Sequence, residues 1–227
     1  MTTSPPPSSA TALTARRDSN RAASPGIARG SALVTGGVLY AVGNALHPVE
    51  HSEAAHSAAT WTAAHLIFAV GAVLIAVGLP ALLPLGTSRW AGAVRALLFV
   101  GFAVTVPISS YHEAFVVTHV DADAGTAVEG AASWLTTPLG TLFLLGQLLL
   151  GIHALRRPSP ALGRMSGALV VLATLVMAVG GSGAPGPEGI YIIPATVLMG
   201  AIFAVAGVKI TRASAPADSL GQSNPRS

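Results

Sequence analysis

The chain has 227 residues, of which 52% are hydrophobic and only 9% are charged; soluble domains average about 25% charged residues, so lipid must cover much of its apolar surface. The net charge is only +3 and the basic residues are thinly spread, which argues against nucleic acid as a partner. Because cysteine is absent, the chain has no disulfide, thiolate metal site or cysteine nucleophile.

Residues 1–27 are rich in Ser, Thr, Pro, Ala and Arg without a periodic apolar pattern, which predicts a disordered cytoplasmic tail. Residues 28–211 are predicted to form a membrane domain, and residues 212–227 a second disordered tail. Within the domain, six stretches lack Asp, Glu, Lys and Arg, and each is long enough to span most or all of roughly 30 Å of hydrocarbon as a helix. These stretches are 30–46, 62–83, 96–111, 136–155, 165–184 and 189–208.

Pro48 ends the first stretch, because it biases His47 away from the helical region and lacks the N–H that a continuing helix needs. A proline suits the first turn of a new helix, where Glu50 would lie near the positive end of the helix dipole. A short helix along the outer interface is therefore predicted over residues 48–57. Trp61 is predicted to anchor the start of the second stretch at the interface.

The third stretch meets no breaker soon after Pro107, so its helix is predicted to continue to about His119. The fourth helix is predicted to open at Thr136 or the next residue, with Pro138 in its first turn. Trp134, just before it, is predicted to be a second anchor at the outer interface.

Small residues recur at every fourth position in several stretches, which lets helix backbones approach closely. Two of these rows are Gly37, Ala41, Ala45 and Thr196, Gly200, Ala204. Small residues are so abundant that the rows do not identify a partner helix. Gly163 and Gly167 form a weak dimer motif, because Arg164 lies within it at the membrane edge.

Alternate threading of the six stretches places all 12 basic residues on one face of the membrane and seven of the nine acids on the other. Basic residues near short loops set orientation, so both termini are predicted to be cytoplasmic. The predicted fold is an all-α polytopic bundle of six transmembrane helices, N-in/C-in, with a short outer interfacial helix after the first. Its location is a bacterial plasma membrane, and its partner is the lipid bilayer.

Histidines carry most of the functional signal, because six of the seven fall at or near the outer face. These six are His47, His51, His56, His65, His112 and His119. His56 and His119 are interpreted as ordinary polar loop residues, and His153 as an interfacial residue at the inner end. Imidazole and carboxylate are the ligands that zinc, copper, nickel or iron would use in a cysteine-free chain.

The spacing predicts a site at the outer ends of the first three helices. His47 and His51 are four residues apart, which is compatible with one helical face. Glu113 is turned by about 100° from His112, although its side chain is long enough to lean back. The predicted metal-binding residues are His47, His51, His65, His112 and Glu113. The same cluster could instead shuttle protons, or be a hydrogen-bonded polar contact between helices.

The leading interpretation is a non-enzymatic protein that binds a small ligand, a divalent metal or protons in a transport, sensing or accessory role. His65 and His112 lie at the similar depth that axial haem ligands need, but no second stacked pair exists, which disfavours haem. Walker, Gly-x-Ser-x-Gly and His-Glu-x-x-His motifs are absent. The alternatives are a membrane redox protein or a metal- or haem-dependent enzyme using the same residues, and a purely structural membrane subunit.

Two short segments carry a resemblance to a known group of proteins. One is Leu46-His47-Pro48, followed by Trp61 and His65, and the other is the His-Glu-Ala-Phe-Val-Val run at 112–117. Here the chain resembles small multi-pass membrane proteins common in high-GC bacteria, over the region of the first three helices. The resemblance implies a membrane location and a multi-pass topology, and it implies no activity, cofactor or functional residue.

Overall fold

The computed structural model describes residues 24–50, 52–83, 88–120, 122–182, 185–187 and 189–215, with the backbone alone at 53, 122, 123, 126 and 129. Within these ranges the chain forms helices and connecting turns without a strand, which confirms the all-α class. The helices are α1 Pro25–Ala45, α2 Glu53–His56, α3 Ala59–Leu82, α4 Arg89–Val116, α5 Ala122–Arg156, α6 Arg164–Gly180 and α7 Gly189–Ser214.

Each of the six long helices contains most of one predicted apolar stretch. Among the described residues, four segments are long and apolar enough to cross a membrane: Ala59–Leu82, Arg89–Val116, Gly130–Arg156 and Gly189–Ser214. Such segments are typical of an integral membrane protein. The apolar helix α6 is shorter, with 17 residues, and α1 has 21 residues but includes Arg29 and Asn44.

The predicted tails lie mostly outside the described residues, and both domain boundaries move slightly. Helix α1 begins at Pro25 and so includes the last three residues of the predicted tail, because the Ser24 hydroxyl accepts a hydrogen bond from the Ile27 backbone N–H at 3.3 Å. This is an N-cap with proline in the first turn. At the other end, α7 continues to Ser214, past the predicted boundary at 211.

The helix predicted over 48–57 is wrong in extent, since α2 is a single turn, Glu53–His56. The carbonyl groups before it are bonded elsewhere. His47 Nδ1 donates to the carbonyl oxygen of Pro48 at 2.6 Å, and the Gly189 N–H donates to that of Val49 at 3.2 Å. Because a helix would need these carbonyls for its own N–H groups, the segment stays non-helical.

The start predicted for the fourth span is also wrong, because α5 begins at Ala122 and Pro138 lies in its interior. Proline at this position leaves the carbonyl of Trp134, one turn earlier, without its helical donor. The Trp134 side chain is 75% exposed, so this turn lies at the surface of the bundle. The helix continues through the proline without a break.

The six long helices form a ring in chain order, in which each packs on the next and α7 closes on α1. Helix α1 makes the closest contacts, with α3 on one side and α7 on the other. A Cβ on Gly36 would lie 2.7 Å from the Ile75 backbone nitrogen of α3. A Cβ on Gly200 of α7 would lie 2.5 Å from the Gly37 carbonyl oxygen and 2.9 Å from the Ala41 backbone nitrogen. The two predicted rows of small residues are therefore partners of each other.

Of the two glycines in the Gly163–Gly167 pattern, only Gly167 packs closely against another helix. A Cβ on Gly167 would lie 2.8 Å from the carbonyl oxygen of Gly151, so this glycine packs α6 on α5 within one chain. Gly163 has no atom within 4 Å of such a Cβ. The close approach that this pattern supports is therefore intramolecular.

Phe102 fills the centre of the ring and is fully buried. The centroid of its ring lies 5.6 Å from that of Tyr40 in α1, 4.8 Å from Phe143 in α5 and 5.3 Å from Phe203 in α7. Phe102 belongs to a π-helical turn of α4, Gly101–Thr105, directly before Pro107. A proline has no N–H to donate, and its ring crowds the backbone of the preceding turn. The wider π-helical turn leaves more room for this ring.

The described basic side chains lie at one end of the bundle, and five of the six described histidines lie at the other. We call one the basic end, where Arg95 Nη1 donates to the Leu83 carbonyl oxygen at 3.1 Å and a Cβ on Gly30 would contact Thr211. The described residues of the basic end are Arg29, Arg89, Arg95, Arg156, Arg157, Arg164, Lys209 and Arg212. The opposite end, which we call the histidine end, has His47, His56, His65, His112 and His119.

Candidate functional site

A cavity of about 190 Å³ lies at the histidine end, between α1, α3, α4 and α7. We call it the histidine pocket. Its polar lining residues are Asn44, His47, His65, Ser109, Ser110 and Glu113. Phe68 of α3 and Ile192 and Ile193 of α7 contribute apolar wall. The ring of helices therefore brings together polar side chains from three helices over an apolar floor.

His47 and His65 lie side by side in this pocket, with their ring centroids 4.8 Å apart and their planes at 73°. His65 Nδ1 lies 2.9 Å from the carbonyl oxygen of Trp61, one turn earlier, and His47 Nδ1 bonds to that of Pro48. A carbonyl oxygen only accepts, so each Nδ1 carries the hydrogen. Nε2 is then the nitrogen that carries the lone pair in each neutral ring.

Trp61 lies beneath the two imidazoles and is fully buried, so its prediction as an interfacial anchor is wrong. The rings of His47, His56 and His65 lie between 4.5 and 4.8 Å from it. Its indole N–H donates to the carbonyl oxygen of Glu113 at 2.8 Å. Because the N–H finds its partner on α4 and imidazoles cover the ring, the side chain has no need of the water interface.

Glu113 lies in the second π-helical turn of α4, His112–Val116. Its carbonyl accepts from Trp61, and the carbonyl of Ala114 accepts from the Thr62 hydroxyl at 3.3 Å. Side chains of α3 thus fasten the irregular turn in place. Such turns are frequent at functional sites. Here the turn holds the Glu113 side chain against the pocket, one turn beyond Ser109.

His112 faces a different space from the other predicted ligands. It lines a second cavity of about 240 Å³ with Ala132 and Thr136 of α5, and Ser109 and Glu113 contribute to both cavities. His112 Nδ1 lies 3.7 Å from Glu113 Oε1, and its Nε2 is buried without a hydrogen-bond partner among the described residues. The glutamate therefore stands between His112 and the two pocket imidazoles.

Three of the five predicted metal-binding residues share the histidine pocket, namely His47, His65 and Glu113. His112 lies in the adjoining cavity, and His51 is outside the described residues. Among the side chains that the structure describes, no group of three or more His, Asp or Glu is arranged to hold a metal ion. Metal binding here stays a prediction.

The remaining histidines have local surroundings. His56, predicted to be an ordinary loop residue, packs its ring 4.5 Å from that of Trp61 and supports the pocket from behind. His119 Nδ1 lies 2.9 Å from the Phe115 carbonyl oxygen, one turn back. His153 lines a crevice at the basic end together with Arg156. Of these three, only His56 contributes to the site's architecture.

The contribution of α7 was not predicted. Gly189, Ile192 and Ile193 close one side of the pocket, and the Gly189 N–H is bonded to Val49. Uncharged apolar residues carry no chemical signal in a sequence, so this wall could not be found there. Asn44 is a lone polar group within a span and did carry such a signal; its Nδ2 donates to the Tyr40 carbonyl oxygen at 3.3 Å.

Comparison of the chain with protein-family models, curated proteins and solved structures finds no match. The resemblance to small multi-pass membrane proteins therefore stays a sequence-based expectation. The fold and its apolar helices define the class as a membrane-embedded all-α protein.

Proposed function

We propose that the chain spans a bacterial plasma membrane six times, with both termini cytoplasmic. In this arrangement α1 and α6 cross the bilayer with the four longer apolar helices. The packing supports this arrangement. Helix α1 lies between α3 and α7, and helix α6 lies between α5 and α7. The helices α3, α5 and α7 each contain a segment long and apolar enough to cross a membrane. The positive-inside rule assigns the basic end to the cytoplasm, so the histidine pocket faces outward.

The orientation can be tested with single introduced cysteines, because the chain contains none. Glu50 and Ser159 are exposed positions at the histidine end and at the basic end. We expect a membrane-impermeant maleimide to label Glu50→Cys in intact cells and Ser159→Cys only after permeabilisation. Labelling of Ser159→Cys in intact cells would contradict the proposed topology.

The function that the site supports best is non-enzymatic binding of a small ligand, in a transport, sensing or accessory role. The observation that carries this proposal is the convergence on one cavity of His47, from the turn after α1, His65 of α3 and Glu113 of α4. Ionisable groups within membrane bundles are costly to bury, and by default they indicate a functional site. A cavity lined by them provides the space that a hydrogen-bonded contact between helices would lack.

Charge and geometry favour a cation over a redox cofactor. Glu113 is the one carboxylate among the described lining residues, and a divalent metal, a proton or an organic cation would each neutralise it. Haem is not favoured, because the His47 and His65 rings pack against each other and leave no space between them for a macrocycle. His65 and His112 face separate cavities, so they do not form an axial pair either.

A thermal-unfolding comparison tests the binding function in protein purified in mild detergent. We expect at least one cation from a panel of Zn²⁺, Co²⁺ and small alkylammonium ions to raise Tm. A ligand at 100 times its Kd stabilises a folded protein by about 2.7 kcal/mol. The increase should be lost in His65→Ala and Glu113→Gln but kept in Glu50→Gln, whose carboxylate is exposed outside the pocket. An increase that His65→Ala and Glu113→Gln both kept would contradict binding in the pocket, and a native chain whose Tm no cation raised would favour a purely structural role.

A further inference from the structure

We infer that the ligand of the histidine pocket is a small organic ammonium ion, bound to Glu113 and enclosed by the apolar wall of α3 and α7. The inference rests on the proposed binding function and specifies the chemical class of ligand. It follows from four properties of the pocket, namely charge, hydrogen-bonding capacity, wall chemistry and volume.

The histidine end attracts cations. The sequence has no Lys or Arg in residues 30–88, 96–155 or 165–208, and the described basic side chains lie at the opposite end. No described Lys or Arg is within ion-pair distance of Glu113, whose nearest described imidazole nitrogen is His112 Nδ1 at 3.7 Å. A cleft lined by one sign of charge between low-dielectric walls concentrates ions of the opposite sign.

The groups that face the pocket are mostly hydrogen-bond acceptors. The carboxylate of the lining residue Glu113 supplies two acceptor oxygens, and the side-chain amide of Asn44, whose Nδ2 donates to the Tyr40 carbonyl oxygen, supplies a third. Ser109 and Ser110 can accept as well as donate. An ammonium group has only donors and complements this set. A carboxylate or phosphate ligand would find no Lys or Arg side chain among the described lining residues.

The wall chemistry separates an organic cation from a metal ion. A protein-bound transition metal takes three or four nitrogen or oxygen ligands from side chains, and the described residues hold no such group. Most of the pocket surface is apolar, with Phe68, Ile192 and Ile193 among its lining residues. A metal ion gains nothing from this surface. An alkyl group is stabilised by burial against it, and the face of Phe68 also attracts a cation.

The cavity volume of about 190 Å³ sets the size of the ligand. An apolar protein cavity of about 150 Å³ accepts benzene, so this pocket accommodates a molecule of about six to eight non-hydrogen atoms. Cyclohexylammonium has this size, and cyclohexanol is its neutral counterpart of nearly equal shape. The pair therefore isolates the contribution of the positive charge.

Isothermal titration calorimetry of the full chain in mild detergent, corrected for detergent partitioning, tests the inference with cyclohexylammonium, cyclohexanol and Zn²⁺. We expect saturable binding of one cyclohexylammonium per chain, and at least about tenfold weaker binding of cyclohexanol. Glu113→Gln should reduce the ammonium affinity at least about tenfold, and the matched variant Glu50→Gln should leave it unchanged. Ile192→Phe fills the apolar side without altering charge and should also abolish binding, which keeps the test decisive if Glu113→Gln does not fold.

Equal affinities for cyclohexylammonium and cyclohexanol would overturn the ammonium assignment, as would ammonium binding that is indifferent to Glu113→Gln. Zn²⁺ binding that requires His65, without ammonium binding, would also overturn it but would leave the pocket's binding function in place. If no probe gave a response that depends on Glu113 or His65, both the ligand class and the binding function would be contradicted.

Discussion

Truncation of Trp61 to alanine is expected to cause the largest loss of stability of any single substitution proposed for this protein. The side chain is fully buried, and its removal would leave a cavity beneath His47, His56 and His65. Loss of a buried aromatic side chain costs about 3 to 5 kcal/mol. Chemical or thermal unfolding in detergent would measure the change.

Two further tryptophan variants separate the causes of that loss. Trp90 is 49% exposed at the basic end, so Trp90→Ala should change the free energy of unfolding far less. Trp61→Phe keeps most of the ring but leaves the Glu113 carbonyl without its donor, which should cost about 1 to 3 kcal/mol. Equal stabilities of Trp61→Ala and Trp90→Ala would contradict the buried position of Trp61.

Gly37→Ala is expected to disrupt the contact between α1 and α7. The added methyl group would meet the Gly200 carbonyl oxygen and lie 2.6 Å from the Ala204 backbone nitrogen. Backbone atoms cannot rotate away as side chains do, so the two helices must separate. Overpacking of this kind costs about 1 to 3 kcal/mol, and more where backbones are in contact.

The matched control for Gly37→Ala is Gly140→Ala in α5, where an added Cβ has nothing within 4 Å. Since alanine is favoured over glycine in helices by about 0.5 to 1 kcal/mol, this variant should be neutral or slightly stabilised. Tm and the yield of monodisperse protein would compare the two. A Gly37→Ala protein as stable as the control would show that α1 and α7 are not as close as the structure has them.

The sequence was sufficient to locate the long helices, because a stretch without charge that is long enough for a bilayer has few other structures available. The sequence was insufficient to predict whether a proline begins a helix, because this depends on contacts with residues elsewhere in the chain. Pro48 could have begun a helix, but His47 and Gly189 bond the carbonyl groups that this helix would need. Pro138 was expected in a first turn, but α5 begins at Ala122 and continues through it.

Position along the spans also predicted part of the candidate site, since it places His47, just after α1, at the same end of the bundle as His65 of α3 and Glu113 of α4. The rotation of each helix about its axis was not predictable. Phe102 and the π-helical turn around it set the rotation of α4, and this places His112 outside the histidine pocket. Trp61 shows the same limit, because a tryptophan at the end of a span has the same sequence signature whether it faces lipid or the bundle.

The π-helical turn His112–Val116 affects which side chains of α4 face the neighbouring helices. Such a turn holds one residue more than the corresponding α-helical turn. Without that extra residue, the part of α4 beyond the turn would be rotated by about 100° about the helix axis, the angle between neighbours in an α-helix. The turn therefore decides which side chains of α4 beyond it face α3.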